Sequence, residues 1–154
     1  MQRAITRSGS RYAAALLLAV SMLASGFATS HARAGEVTDR QEMFQLTNQA
    51  REAKHRADLA LDKRLSRYAV QHSQDMADQG TLFHTADLAK VLQGRPWSMG
   101  GENVGVGSSL TDLQAAFMAS KVHRQNILQT GYDHAAIGVV ASDGEFWVTV
   151  IFYG

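Results

Sequence analysis

The sequence predicts a three-layer α-β-α sandwich, in which a small antiparallel sheet lies between two layers of helices. After residue 38, apolar residues first recur at helical spacing. The end of the chain then changes to two strand-like apolar runs, 135–141 and 146–152. Asp143-Gly144 joins these runs and is typical of a two-residue hairpin turn. Because both runs are apolar on both faces, we expect helices to cover the sheet on each side.

The length and the start of the chain predict one secreted domain. A chain of 154 residues with 45% hydrophobic content is long enough for a single core. Residues 1–34 have the features of a signal peptide, since arginines precede the apolar run 13–24 and Ala32-Arg33-Ala34 supplies a cleavage site. That run is shorter than the ~20 apolar residues of a membrane-spanning helix. We therefore expect a domain at residues 35–154, extracellular or periplasmic, with no stable membrane insertion.

Charge and cysteine content exclude several classes of function. The leader removes four of the 15 basic residues and none of the 14 acidic ones, so the mature chain carries 11 − 14 = −3. A basic cluster does occur, but acidic residues interleave with it at helical spacing, which favours a solvated helix face over a nucleic-acid surface. The absence of cysteine excludes thiol catalysis and thiolate metal sites. A monomer without a nucleic-acid partner is expected. The cluster comprises Arg51, Lys54, Arg56, Lys63, Arg64 and Arg67.

Two amphipathic helices are predicted first. Thr38 and Gln41 fit a capping box, and an apolar stripe continues from them to about Arg56. A second helix is predicted from Asp62, as its N-cap, to a stop at Gly80. The apolar stripe of the second helix comprises Leu65, Tyr68, Ala69, His72 and Met76. We interpret His72 as a core histidine with a satisfied ring nitrogen, because its helix offers no plausible second metal ligand.

Short elements are predicted in the middle of the chain. Residues 81–85 are expected to be extended or irregular and to present His84. A short helix is predicted over residues 86–93, ended by Gly94, and one further strand can fit before Gly100. From Gly100 a glycine-rich loop is expected to hold Glu102, since glycines allow positive φ and a close approach of the backbone to its neighbours.

Two helical segments are predicted after this loop. Ser109 and Asp112 resemble a capping signal for a helix that ends near Ser120, with Leu110, Leu113 and Phe117 facing inward. His123 falls where another short helix would begin. An imidazole titrates near neutral pH and binds metals, so His123 and Glu102 form a candidate pair.

Four motifs follow one another in an order that is informative. They are His72-Ser73-Gln74-Asp75-Met76-Ala77 leading to His84, Gly100 with Glu102-Asn103-Val104, His123-Arg124-Gln125-Asn126-Ile127-Leu128, and Ile137-Gly138-Val139. Over about residues 42–154 this set resembles the CAP superfamily, which comprises cysteine-rich secretory proteins, insect venom antigens, plant pathogenesis-related proteins and bacterial SCP-like extracellular proteins. The resemblance implies an α-β-α sandwich with an antiparallel sheet.

The resemblance also implies a cleft with two histidines and two acids. The histidines match His84 and His123, and the first acid matches Glu102. Relatives carry the second acid three positions after an aromatic residue, and the corresponding position here is Ser120. The cleft is therefore expected to contain three of the four groups. Arg124 and Asn126 are expected to fix the helix start and the loop rather than to contact a ligand.

Three chemical roles are open for His84, Glu102 and His123. The two imidazoles can bind Zn²⁺ with one position open for water. Alternatively, Glu102 can orient one ring for acid-base work without metal, or the three groups can form a polar patch that satisfies itself. Motifs for zincins, serine hydrolases and phosphate-binding loops are absent from the sequence.

Two functions from different classes follow from these roles. The favoured one is a non-catalytic binding module that holds a small lipid or peptide ligand, with a divalent metal as an optional component; the resemblance supports this, since relatives bind sterols and other lipids. The alternative is a zinc-dependent, peptidase-like hydrolase, with Glu102 as general base on a zinc-bound water.

Overall fold

The computed structural model describes residues 35–36 and 38–154, so the predicted signal peptide at residues 1–34 lies outside the described residues. No helix in the described part of the chain is long and apolar enough to cross a membrane. The elements are helix α1 (38–52), β1 (Ala60–Leu61), α2 (Ser66–Gln79), α3 (Leu88–Leu92), β2 (Gly100–Gly107), α4 (Leu110–Ala119), α5 (Lys121–Leu128), β3 (His134–Ser142) and β4 (Glu145–Tyr153).

The sheet has four strands in the order β1-β3-β4-β2. The predicted hairpin of β3 and β4 is confirmed, and Ser142 pairs with Glu145 across the turn. Asp143 and Gly144 both have positive φ, 52° and 81°, as a two-residue hairpin turn with the right twist requires. β2 pairs antiparallel with β4, whereas β1 pairs parallel with β3, so the sheet is not purely antiparallel. β2 therefore forms one edge of the sheet.

Helices cover both faces of the sheet, which confirms the three-layer sandwich. One core joins α1, α4 and α5 to one face, through residues such as Met43, Phe117 and Ile127 packed with Ile137 and Val150. On the other face, α2 and α3 pack through two smaller clusters. These clusters include Leu65, Ala69, Met76 and Leu92 from the helices and Ala136, Ile151, Val104 and Trp147 from the strands.

The glycine-rich segment is a strand, so the prediction of a loop there is wrong, and the further strand expected before it does not form. The glycines of β2 do not adopt positive φ. They serve close packing instead. A Cβ at Gly101 would lie 2.5 Å from Tyr132 Oη, and one at Gly105 would lie 2.8 Å from Leu113 Cδ1 and 2.9 Å from the Phe117 ring. Glycine at these positions lets α4 and the segment that follows α5 pack directly on the strand.

Helix boundaries differ from the predicted ones at the start of the chain. Thr38 is not an N-cap, because residue 36 is already helical, and α1 ends at residue 52 rather than near Arg56. Asp62 does not cap α2 itself, which begins at Ser66. The Asp62 Oδ1 atom accepts from the backbone N–H of Leu65 at 2.8 Å and so stabilises the turn that precedes the helix. Tyr68 is 37% exposed and does not lie on the buried face of α2.

The later boundaries agree with the predictions. Residues 81–85 are irregular, and Gly94 ends α3 with a φ of 80°. The Ser109 side chain accepts from the Asp112 N–H at 3.1 Å, which is the predicted N-cap of α4. Ser120 follows the last residue of α4, and His123 lies in the first turn of α5.

Arg51 does not belong to the solvated basic face on which it was predicted. Its guanidinium is 1% exposed and donates to four backbone carbonyls. These acceptors are Ala57 at 2.8 Å, Ile127 at 2.7 Å, Gln129 at 2.9 Å and Tyr132 at 3.3 Å. The other basic residues of the cluster are exposed, as predicted, but among them only Arg67 lies on a helix, so they do not form the predicted helix face. The charge pattern therefore predicts the exposure of the cluster correctly except at Arg51, which joins α1 to the end of α5.

Asp62 anchors the end of the chain to the turn before α2. The Asp62 Oδ2 atom accepts from Arg95 Nε at 2.8 Å and from the Tyr153 hydroxyl at 3.0 Å. Burial alone would raise the pKa of Asp62, but the hydrogen bonds from Arg95, the Leu65 N–H and Tyr153 outweigh it and lower the pKa to about 2. Burial and the neighbouring Asp62 carboxylate raise the pKa of Tyr153 to about 12.

This arrangement makes part of the stability dependent on acid pH. The folded pKa of Asp62 lies below its ordinary value of 3.8, so the stabilisation is complete above pH 3.8 and is lost as the pH falls toward 2. We expect Asp62→Asn to lower the free energy of unfolding by about 2 kcal/mol at neutral pH and by much less near pH 2. Urea unfolding of both proteins across this range measures the difference. A difference that stays constant with pH would contradict the assignment.

Candidate functional site

Glu102 occupies the third position of the edge strand β2 and is held by residues that follow α2. Its Oε2 atom accepts from His84 Nδ1 at 2.7 Å and from the backbone N–H of Thr85 at 2.9 Å. Its Oε1 atom accepts from the Thr85 hydroxyl at 2.6 Å. The carboxylate side chain is only 5% exposed. Both oxygens are thus engaged within the protein, and the carboxylate has little freedom to turn.

The segment between α2 and α3 places His84 beside this carboxylate. Gly80 ends α2 in the left-handed conformation, with a φ of 58°, and turns the chain toward the sheet edge. Phe83 then packs against the cluster of Met76, Val104 and Trp147, so the residue that follows it emerges at the surface. The Tyr68 hydroxyl contacts the Thr85 hydroxyl at 3.3 Å and extends the hydrogen-bond chain to α2.

His84 presents one ring nitrogen to solvent. Its side chain is 60% exposed although its Nδ1 atom is bonded to Glu102. A carboxylate can only accept, so Nδ1 carries the proton, and the Nε2 atom of a neutral ring keeps a free lone pair. Glu102 therefore selects the tautomer and the orientation of His84.

His123 reaches the same strand edge from the opposite helical layer. Its ring lies on α5, half-buried, with its centroid 5.0 Å from that of Phe117. Burial lowers the pKa of His123, and the positive charge of protonated His84 lowers it further. Glu102 points to the side of α2, as does Val104, whereas Asn103 points to α5. The structure therefore brings His84 and Glu102 into contact on one face of β2, whereas His123 lies on the other side of the strand, near enough for the charge of His84 to lower its pKa.

Two asparagines fix the helix that carries His123. The buried Asn103 side chain donates to the His123 carbonyl at 3.1 Å. Asn126 Nδ2 donates to the Glu102 carbonyl at 3.1 Å and to Asn103 Oδ1 at 2.9 Å. Arg124 Nη1 donates to the carbonyls of Met118 and Ala119 at the end of α4. Arg124 and Asn126 therefore hold α5 in place, which is the positioning part of the role expected for them.

The donor set does not fit a zinc site with three protein ligands. Among residues 38–154, no three His, Asp or Glu side chains stand close enough together to hold a metal ion. The Glu102 carboxylate is turned to His84 Nδ1 and Thr85, which leaves only the imidazoles of His84 and His123 as ligands. A catalytic zinc requires three protein ligands and an open position.

Sequence reasoning missed Thr85 and Asn103 as parts of this site. Thr85 bonds Glu102 through both its backbone and its side chain, and no periodicity or spacing marks such a residue. His72 is buried as predicted, at 6% exposure, with its Nδ1 atom 3.2 Å from the Thr149 hydroxyl, whereas its Nε2 atom is buried without a hydrogen-bond partner among the described residues. It is a core residue of α2 and not a member of the site.

Comparison with known proteins identifies the family. Residues 44–152 match the family model described as CAP, the cysteine-rich secretory protein family. The chain is 31% identical over 115 residues to YkwD of Bacillus subtilis, an uncharacterized protein. The matched region is 70% of this chain and 44% of YkwD. The chain therefore spans less than half the length of this relative.

Solved structures have the same fold. An extracellular protein of Bacillus anthracis that contains an SCP domain is 28% identical, with a TM-score of 0.66 over 77% of this chain and 41% of that one. An outer surface protein of Borrelia burgdorferi gives a TM-score of 0.67 at 16% identity, over 75% and 92% of the two chains, and shows the fold alone. Although it lacks cysteine, this chain belongs to the CAP family of cysteine-rich secretory proteins.

Proposed function

We propose that this protein is a secreted, non-catalytic binding module whose cleft at the β2 edge holds a small lipid or peptide ligand. The engagement of Glu102 carries the proposal. Both carboxylate oxygens accept hydrogen bonds from His84 and Thr85, and the side chain is 5% exposed. A carboxylate that already accepts three hydrogen bonds and is almost fully buried is poorly placed to take a proton from water or to bind a metal. The imidazoles of His84 and His123 are the polar groups that a ligand meets.

Exposed apolar residues close in sequence to the two histidines are the basis for proposing a ligand with an apolar part. Leu82, two positions before His84, is 43% exposed, and Val122, adjacent to His123, is 66% exposed. Large exposed apolar residues beside oriented polar groups are typical of surfaces that bind amphipathic molecules. A lipid or an apolar peptide with a polar end suits this combination. The imidazoles would bind the polar end, with Nε2 of His84 as acceptor when the ring is neutral.

Secretion is proposed on two independent grounds. The leader sequence has the order of a signal peptide, and the SCP-domain protein of Bacillus anthracis, 28% identical to this chain, is described as extracellular. We further propose that the domain acts as a monomer without a nucleic-acid partner, in line with its calculated mature charge of 11 − 14 = −3. No observation favours the zinc-dependent hydrolase, since its general base would be the carboxylate that already holds His84 and Thr85.

Histidine variants with a matched control test this function. A fluorescent fatty acid and a panel of apolar peptides are titrated into the purified protein and into His84→Asn, His123→Asn and Glu102→Gln. His55→Asn is the control, because His55 is exposed and asparagine tolerates its positive φ of 55°. We expect binding to weaken about tenfold in the three cleft variants, because each loses one charge-assisted or oriented hydrogen bond to the ligand. The control should bind as tightly as the wild type.

A parallel turnover assay separates binding from catalysis. The wild-type protein is incubated with broad peptide and ester panels, with zinc or with a chelator. We expect no turnover above that of a His84→Asn, His123→Asn double variant. Turnover that zinc restores and the double variant lacks would overturn the binding-module proposal in favour of the hydrolase.

A further inference from the structure

A concave site lies beside the C-terminal half of α5. This pocket has a volume of about 440 Å³ and lies between Arg56, in the turn after α1, and the C-terminal half of α5. Arg124, Gln125, Gln129 and Thr130 contribute polar groups to its lining, and no acidic residue does. His84, Glu102 and His123 do not line it. The pocket is therefore rich in hydrogen-bond donors and free of carboxylates.

Both arginines of the pocket have donors to spare. Arg56 forms no ion pair or side-chain hydrogen bond with any described residue. Arg124 uses only Nη1, which donates to Met118 and Ala119 carbonyls at 2.7 and 3.1 Å. Those two bonds fix the plane of its guanidinium and leave Nε and Nη2 without a partner in the described part of the chain. Unpaired guanidinium groups on one concavity favour an anionic ligand.

The C-terminal end of α5 does not oppose an anion here, although carbonyl groups at a helix C-terminus normally repel one. Arg51 donates to the carbonyls of Ile127 and Gln129 and so neutralises that end. Burial and the positive charge of Arg56 lower the pKa of Arg51, and the carboxylate of Asp58, which does not line the pocket, acts in the opposite direction.

Gln129 adds a neutral donor. Its Oε1 atom accepts from the backbone N–H of Thr130 at 2.8 Å and of Gly131 at 3.4 Å. Because the amide oxygen is held in this way, the Nε2 group is left as a donor beside the arginines. The orientation of Gln129 therefore adds a further hydrogen-bond donor to a pocket whose charged groups are also donors.

We propose that the pocket formed by Arg56, Arg124 and Gln129 is a binding site for the phosphate group of a small ligand. Two guanidiniums match the two charges of a phosphate monoester, whereas a carboxylate would leave one of them unpaired. Planar guanidiniums also bind phosphate oxygens in pairs. The volume leaves room for a substituent on the phosphate, within the range of ordinary small-molecule sites.

Titration with inorganic phosphate tests the proposal. Isotope-labelled protein at low ionic strength and about pH 7.5, where phosphate is mainly a dianion, is followed through the amide resonances of residues 125–130. We expect saturable binding at one site, weakened about tenfold or more in Arg56→Gln and in Arg124→Gln. Arg67→Gln is the matched control, since Arg67 is exposed on α2, in the opposite helical layer. Its affinity should equal that of the wild type.

Acetate at matched ionic strength is the second arm, and we expect it to bind about tenfold more weakly than phosphate. Equal affinity for the two anions would overturn the assignment to phosphate. Absence of saturable shifts, or unchanged affinity in Arg56→Gln, would overturn the site itself. Should Arg124→Gln fail to fold, Arg56→Gln decides alone, because Arg56 makes no side-chain hydrogen bond in the described chain. Resonance dispersion of each variant reports its folding.

Discussion

Replacement of Arg51 by methionine is expected to lower the free energy of unfolding by about 3–5 kcal/mol. The guanidinium is 1% exposed and donates to the carbonyls of Ala57, Ile127, Gln129 and Tyr132. Methionine fills much of the same space, so the loss comes from carbonyl groups that are left buried without a donor. Since Ile127 and Gln129 lie at the end of α5, the helix that carries His123 should loosen as well.

Urea unfolding at neutral pH measures this effect, with Arg67→Met as the control on an exposed helix face. The control should change the free energy of unfolding by no more than about 0.5 kcal/mol. Arg51→Lys should fall between the two, because a single ammonium keeps the charge but cannot reach acceptors spread around a planar fork. A loss below about 1 kcal/mol in Arg51→Met would show that the four hydrogen bonds are not needed.

Gly138→Ala is expected to be destabilising by about 3 kcal/mol or more, although it adds a single methyl group. Gly138 lies in β3 directly beneath α2. A Cβ atom there would overlap the carbonyl group of Ala69 and the backbone nitrogen of Val70. Both are main-chain atoms of a helix packed on the sheet and cannot rotate aside, so α2 would have to move. Tyr68 and the segment to His84 would move with it.

Gly107→Ala provides the matched control in another strand of the same sheet. An added Cβ there meets its nearest neighbour, Leu113 Cβ, at 3.7 Å, an ordinary van der Waals distance. We expect this variant to stay within about 1 kcal/mol of the wild type. Thermal unfolding of both variants gives the comparison. Equal stability of the two would mean that α2 can shift at little cost, contrary to the packing described here.

Elements with strong local signals were predictable from the sequence. Asp143-Gly144 specifies the hairpin turn through its need for positive φ, and Ser109 begins α4 through a hydrogen bond three residues along the chain. Both signals act within a few residues and depend little on the rest of the fold. The layers of helices followed from the apolar character of both faces of β3 and β4.

Features that depend on distant parts of the chain were not predictable in this way. The glycines in β2 suggested a loop, because glycine has a low preference for strands. They are needed there because the side chains of Tyr132, Leu113 and Phe117 approach the strand closely, which the local sequence does not reveal. Arg51 sits in a charged stretch, yet three of its four acceptors lie more than 70 residues away. Tertiary contacts decide both cases, and neither leaves a periodic pattern in the sequence.

The candidate site was accessible mainly through resemblance. His84, Glu102 and His123 lie far apart in the chain, and only the order of the motifs suggested that they converge. The contact between His84 and Glu102 follows that expectation, whereas the role of Thr85 as the second partner of the carboxylate does not.

The most direct test of the engagement of Glu102 is the tautomer of His84, read from the nitrogen-15 resonances of its ring at a pH where the imidazole is neutral. We expect the proton on Nδ1, where Glu102 Oε2 accepts it at 2.7 Å, and a mixture of tautomers in Glu102→Gln. A wild-type ring protonated on Nε2 would contradict this. It would mean that Glu102 does not hold His84 and is free to act as a base or a ligand, which would remove the main support for a non-catalytic cleft.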